Sequence, residues 1–219
     1  MSFLDFREPV NAWSHCAGLM LAVPGTVMLW QRSAGERAKR ISLLVYGLTL
    51  AFCYLASTLY HGVRLPASGV AAFDRLDRAG IFALIAGSYT PLAWCLLRGH
   101  WRRWTLLVVW SIAGAAAIML AAGRQFPPVM STCVYLAMGW GSVACYFEIA
   151  QTVSHRAMLP IVIGGLAYSV GALFNLLHWP VIVPGTFGAH ELFHFFVLGG
   201  SLAHYLFILK IAAPLGQAA

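Results

Sequence analysis

Long apolar runs, each closed by charge, proline or glycine, take up most of the 219 residues. A helix needs roughly 20 apolar residues to cross the hydrocarbon core of a bilayer. Seven stretches meet that length: 12–30, 41–61, 79–97, 104–122, 129–150, 158–177 and 191–212. The connections are short. They are RSAGERAKR at 32–40, a polar stretch from Gly62 to Arg78, RGHWRR at 98–103, GRQFPP at 123–128, SHR at 154–156 and HWPVIVPGTFGAH at 178–190. No room is left for a second domain. The expected fold is all-α, a single domain over 1–219 built as a bundle of seven transmembrane helices. Trp30, Trp94, Trp101, Trp104 and Trp179 fall near the predicted helix ends, where an aromatic belt sits at the headgroups.

Composition narrows the function classes. Apolar residues make up 60% of the chain and charged ones 10%, with mean hydropathy +0.77, whereas soluble chains carry roughly 25% charged residues. Disorder, a secreted disulfide scaffold and a nucleic-acid binder are excluded. The formal charge of +7 comes from short loops, where Lys and Arg anchor helices and set orientation. Cys16, Cys53, Cys95, Cys133 and Cys145 stand singly in apolar stretches without CxxC spacing and read as buried thiols. Asp5, Arg7, Glu8 and Asn11 crowd the opening segment, unlike a cleavable leader. The first span is therefore expected to direct insertion into the cell membrane.

Seven crossings put the start of span 1, the end of span 2, the start of span 3, the end of span 6 and the start of span 7 on one face. Glu8 and His15 open span 1, and Ser57 and His61 close span 2. Asp74 and Asp77 precede span 3, and His178, His190, Glu191 and His194 surround the entry to span 7. With Asp5, that face collects five of the eight histidines and five of the seven acidic residues. Ionisable groups at the edge of hydrocarbon are costly and tend to face a bundle interior or a wet cavity, so the clustering marks a site.

His190 and His194 are four apart, so a helix stacks their imidazoles on one face. Two neutral imidazoles so placed can share a divalent ion, and His61, four after Ser57, adds a third from another helix. Three histidines leave a tetrahedral position open, the arrangement of catalytic zinc. Asp77 is then placed to take a proton from water there, and Ser57 to orient it. A single intramembrane histidine is more often a hydrogen-bonded packing residue. The convergence of three with a carboxylate favours the metal. His15 reads as an interfacial residue or a partner behind a ligand, His178 as an interface residue, and His204 as packing or an interhelix contact.

Several motifs are similar to those of the haemolysin III family, bacterial relatives of the progestin and adipoQ receptors. They are Ala56-Ser57-Thr58-Leu59-Tyr60-His61, Phe73-Asp74-Arg75-Leu76-Asp77, Ala86-Gly87-Ser88-Tyr89-Thr90-Pro91, and His190-Glu191-Leu192-Phe193-His194 followed by Val197-Leu198-Gly199-Gly200-Ser201. The resemblance extends over nearly the whole chain, including Glu8, Asn11 and His15. It implies a seven-helix receptor-like fold with intramembrane zinc on His61, His190 and His194, with Asp77 and Ser57 beside a zinc-bound water. It also implies kinship to alkaline ceramidases, and hence hydrolysis of a lipid amide, with membrane lipid, a lipid-amide substrate or a free fatty acid as partner. His178 departs from the pattern, standing where a basic, non-ligating residue is expected.

Two rival readings stand beside this one. His190-Glu191-Leu192-Phe193-His194 also matches HExxH, which would make Glu191 the base of an intramembrane metalloprotease. The ion could instead be a structural staple between spans 2 and 7 in a non-enzymatic lipid sensor or receptor-like protein. Lys and Arg number five on the site face and nine on the other, which by the positive-inside rule puts the site outside the cytoplasm. The eukaryotic relatives carry it facing the cytoplasm.

Overall fold

The computed structural model describes residues 6–33, 36–124 and 126–215; Asp5 lies outside them. Within these residues are α1 (Pro9–Arg32), α2 (Arg37–Gly62), α3 (Ala67–Leu96), α4 (Gly99–Ala121), α5 (Pro128–Trp140), α6 (Tyr146–Ala150), α7 (His155–Leu177) and α8 (Ala189–Phe207). A 3₁₀ turn, Gly141–Cys145, joins α5 to α6, and a wider π turn, Ile208–Ala212, prolongs α8. With these joins counted, the described residues hold seven helices long and apolar enough to cross a membrane. The one extended pairing among them is an isolated bridge between Val183 and Phe187 in the loop before α8.

Two spans differ from their hydropathy outlines. The third begins at Ala67 rather than 79, so Asp74 and Asp77 sit inside α3 and not ahead of it. Polar side chains lower the hydropathy there, but the helix continues, and Arg78 Nε donates to Asp74 one turn back at 3.1 Å, a spacing that supports a helix. The fifth span is interrupted at Gly141–Cys145. Tyr89 takes up carbonyls released by the break, its hydroxyl donating to Met138 O at 2.6 Å and Gly139 O at 3.0 Å.

α2 and α3 touch almost backbone to backbone. A Cβ at Gly87 would lie 1.9 Å from Thr49 Oγ1, and one at Gly80 would lie 3.0 Å from the Cα of Cys53. Helices approach this closely in membranes where small residues open the path. The contact brings Asp77 against the end of α2. At the opposite membrane face the Lys39 ammonium is buried and donates to the Leu215 carbonyl at 2.6 Å, tying the start of α2 to the end of the last span. Cation–π contacts fix the belt on that face: Arg40 lies over Trp30 and Arg102 over Trp94. Cys53 and Cys145 are buried as expected; Cys133 instead faces outward from α5, onto the surface the bilayer covers.

Candidate metal centre

α2 ends at Gly62, so His61 stands in its last turn, while His190 and His194 occupy the first two turns of α8. One nitrogen from each ring lies within 4.8 Å of the others. The protons on these rings follow from what each Nδ1 meets. His61 Nδ1 donates to Glu8 Oε2 at 2.5 Å, because a carboxylate can only accept. His190 Nδ1 donates to Asn175 Oδ1 at 2.9 Å. Ser14 gives its own proton to the Asn11 carbonyl, which leaves its oxygen to accept from His194 Nδ1 at 3.3 Å. Each ring therefore carries its proton on Nδ1 and a lone pair on Nε2.

The Nε2 atoms of His61 and His190 stand 3.4 Å apart. Two acceptors at that distance repel unless a cation sits between them. Two nitrogens bound to one tetrahedral ion at 2.0–2.1 Å are separated by roughly 3.3–3.4 Å. The three rings thus fit a divalent cation, and each Nδ1 is braced by a group that holds the ring's tautomer.

The bracing groups form one network. Asn11 is fully buried, and its amide donates to Glu8 Oε2 at 3.1 Å and to Glu191 Oε1 at 2.9 Å. Glu191 Oε2 accepts the Gly188 N–H at 2.8 Å and so caps α8. Glu8 also pairs with Arg7 at 3.1 Å, and its own N–H donates to the His61 carbonyl at 2.9 Å. The hydrogen bond from His61 holds the Glu8 carboxyl down at about 2, against an ordinary 4.5 and despite its partial burial.

The other predicted residues separate clearly. Asp77 lies beside Ser57 and His61 and lines the adjoining cavity. Asp74 is drawn to Arg78 and stands on the wall of the adjoining cavity. Glu191 is no free base, since both its oxygens are engaged. His178 is exposed at the C-terminal cap of α7 in a left-handed conformation, φ 52°, and is not among the converging rings. Of the two readings of His15, interfacial residue or partner behind a ligand, its position fits the second: it is 4% exposed and lies tilted against His194 with ring centroids 3.9 Å apart. The sequence reading gave no role to Asn11, Ser14 or Asn175. Asn11, Ser14 and His15 recur at helical spacing, and Asn175 is an isolated amide in an apolar run; both are signals a helical projection exposes.

A cavity of about 670 Å³ extends from the cluster between α3, α5, α7 and α8. His61, Asp77, Asn175 and His190 stand at one end, and Leu96, Met158 and Phe207 at the other, with mostly apolar side chains between.

A family model described as Haemolysin-III related matches residues 3–205. Hemolysin-3 of Bacillus cereus is 32% identical over 212 residues, 95% of this chain and 93% of that protein. The Hemolysin-3 homolog of Bacillus subtilis is 31% identical over 206 residues, 93% of each chain. The human Monocyte to macrophage differentiation factor is 26% identical over 214 residues, 94% of this chain and 84% of that one.

Proposed function

The chain belongs to the haemolysin III family, and from that footing we propose that this multi-pass membrane protein hydrolyses a lipid amide using zinc held by His61, His190 and His194. The observation that carries the reading is the convergence of three lone-pair imidazole nitrogens at one end of an apolar cavity. Bound in a three-histidine site, zinc polarises a carbonyl and acidifies water to a pKa of about 7.

The remaining work belongs to the chain. Asp77 accepts a proton from the attacking water and returns it to the amide nitrogen as the carbon–nitrogen bond breaks. Water thereby splits between the acyl group, which leaves as a fatty acid, and the released amine. Ser57 lies beside Asp77 and would orient its carboxylate for proton transfer. The cavity takes the acyl chain and keeps bulk water from it. The protease reading is disfavoured because Glu191 spends both oxygens on Asn11 and Gly188.

The test is metal analysis of the purified protein and of His61→Ala, His190→Ala and His194→Ala, joined to a screen of lipid amides. One zinc per chain, lost in each variant, supports the site; zinc unchanged in all three removes it. Asp77→Asn separates an enzyme from a protein with a stapling ion. Retained zinc with turnover reduced about 10²–10⁴-fold supports hydrolysis, and undiminished function makes the ion structural.

A further inference from the structure

Ten residues beyond His194 on α8, His204 stands on the same cavity wall, outside the converging cluster. At the helical rise that is about 15 Å farther along the cavity. His204 Nε2 lies 3.2 Å from the Ile161 carbonyl oxygen on α7. A carbonyl only accepts, so Nε2 carries the proton and the neutral ring keeps a lone pair on Nδ1. Nδ1 makes no hydrogen bond to any described residue.

The position is shaped around an imidazole. A Cβ at Gly164 would lie 2.3 Å from the His204 ring, so glycine there clears the ring's place against α7. Tyr168 stands edge-on at 5.3 Å, and its hydroxyl pairs with Ser201 at 2.9 Å. Trp140 Nε1 donates to Ser169, whose hydroxyl donates on to Gly165 O. Tyr168, Ser201, Trp140 and Ser169 hydrogen-bond among themselves or to Gly165 O, and none of these bonds is directed to His204 Nδ1. Joining α7 to α8 requires a single donor to Ile161, which does not account for a ring that also brings an acceptor to a cavity wall. Ionisable groups in membrane spans mark functional positions.

We propose that His204 is a second recognition point in the cavity, accepting a hydrogen bond from a hydroxyl on the acyl chain whose carbonyl end lies at the histidine cluster. The proposal rests on the reading of the cavity as an acyl-chain site. At roughly 1.2 Å per bond of extended chain, the hydroxyl falls about a dozen carbons from the carbonyl. The favoured ligand class is therefore a long chain hydroxylated near its middle. The sign of the effect is decisive, because a hydroxyl in an apolar cavity without a partner weakens binding.

The experiment titrates the purified full chain, reconstituted in nanodiscs, with octadecanoic acid and its 2-hydroxy, 12-hydroxy and 12-oxo derivatives, following tryptophan fluorescence. The 12-hydroxy acid should bind about 3–10-fold more tightly than the other three, the gain of one net hydrogen bond. The 12-oxo acid, which lacks a donor, tests this without any substitution. His204→Leu should abolish the preference and leave octadecanoic acid binding within about twofold. Equal or weaker binding of the 12-hydroxy acid, or a preference that survives His204→Leu, overturns the proposal. If octadecanoic acid binds without preference, only this inference fails. If none of the four acids binds, the acyl-chain reading fails with it.

Discussion

The two walls of the cavity are built differently. Across their most apolar windows α2 and α3 bury 50% and 56% of their residues, whereas the fifth span buries 11%. Glycines show the same contrast. At Gly80 and Gly87 a Cβ would collide with α2, while at Gly139 of the fifth span, as at Gly114 of α4 outside the cavity, it would meet nothing within 4 Å. The tight wall carries His61, Ser57 and Asp77, and the loose wall offers the cavity Tyr135, Leu136 and Trp140. On the proposed reading, the groups that would hold a metal geometry are placed where neighbouring helices fix them, while the side that would meet an acyl chain has few protein neighbours behind it.

The largest expected effect tests whether the ion is part of the tight wall. Stripping zinc with a chelator should lower the thermal midpoint of the wild type, by the equivalent of about 4 kcal/mol where zinc stood at a thousand times its dissociation constant. His61→Ala should already be at the lower midpoint and show no further fall. Next comes the packing itself. Gly87→Val should cost about 1–3 kcal/mol or prevent folding, read from the denaturation midpoint; a neutral result would break the contrast between the walls. Glu8→Ala and Asn11→Ala should keep the fold and weaken zinc binding about 10–100-fold, measured by competition with a chelating dye. Tyr89→Phe removes the hydroxyl donor from Met138 O at the break in the fifth span, while Gly139 O keeps the Ser142 hydroxyl, and should cost about 1 kcal/mol. The smallest effect belongs to Gly114→Ala, which fills open space in a helix and should stabilise by up to about 1 kcal/mol.

Hydropathy made the seven spans legible because crossing a bilayer constrains length and polarity so strongly. The three histidines were legible too, since spacing puts two on one helical face and an odd number of crossings returns the third to the same side. Charge hid the first turns of α3: Asp74, Arg75, Asp77 and Arg78 read as a connection, although pairing between Asp74 and Arg78 and packing on α2 keep the chain helical. The break at Gly141–Cys145 lay within an unbroken apolar run and depends on Tyr89, a residue of another helix. The groups behind the histidines were harder still. Glu8 and Ser14 reach their rings from the start of α1 and Asn175 from the end of α7, and only tertiary packing decides which carboxylate, hydroxyl or amide arrives. His15 shows the same limit, since its contact with His194 requires knowing how α1 turns toward α8.

The buried ammonium of Lys39 carries a practical consequence at the membrane face opposite the histidine cluster. Among the described residues the ammonium's hydrogen-bond partner is the Leu215 carbonyl, so any truncation or fusion that pulls Leu215 away would remove that acceptor from a cation in a low-dielectric setting. Such an uncompensated charge is far more costly than a lost surface contact. Affinity handles for purification are therefore best separated from Leu215 by a generous spacer, and a shortened tail should show itself first as poor yield rather than as altered chemistry.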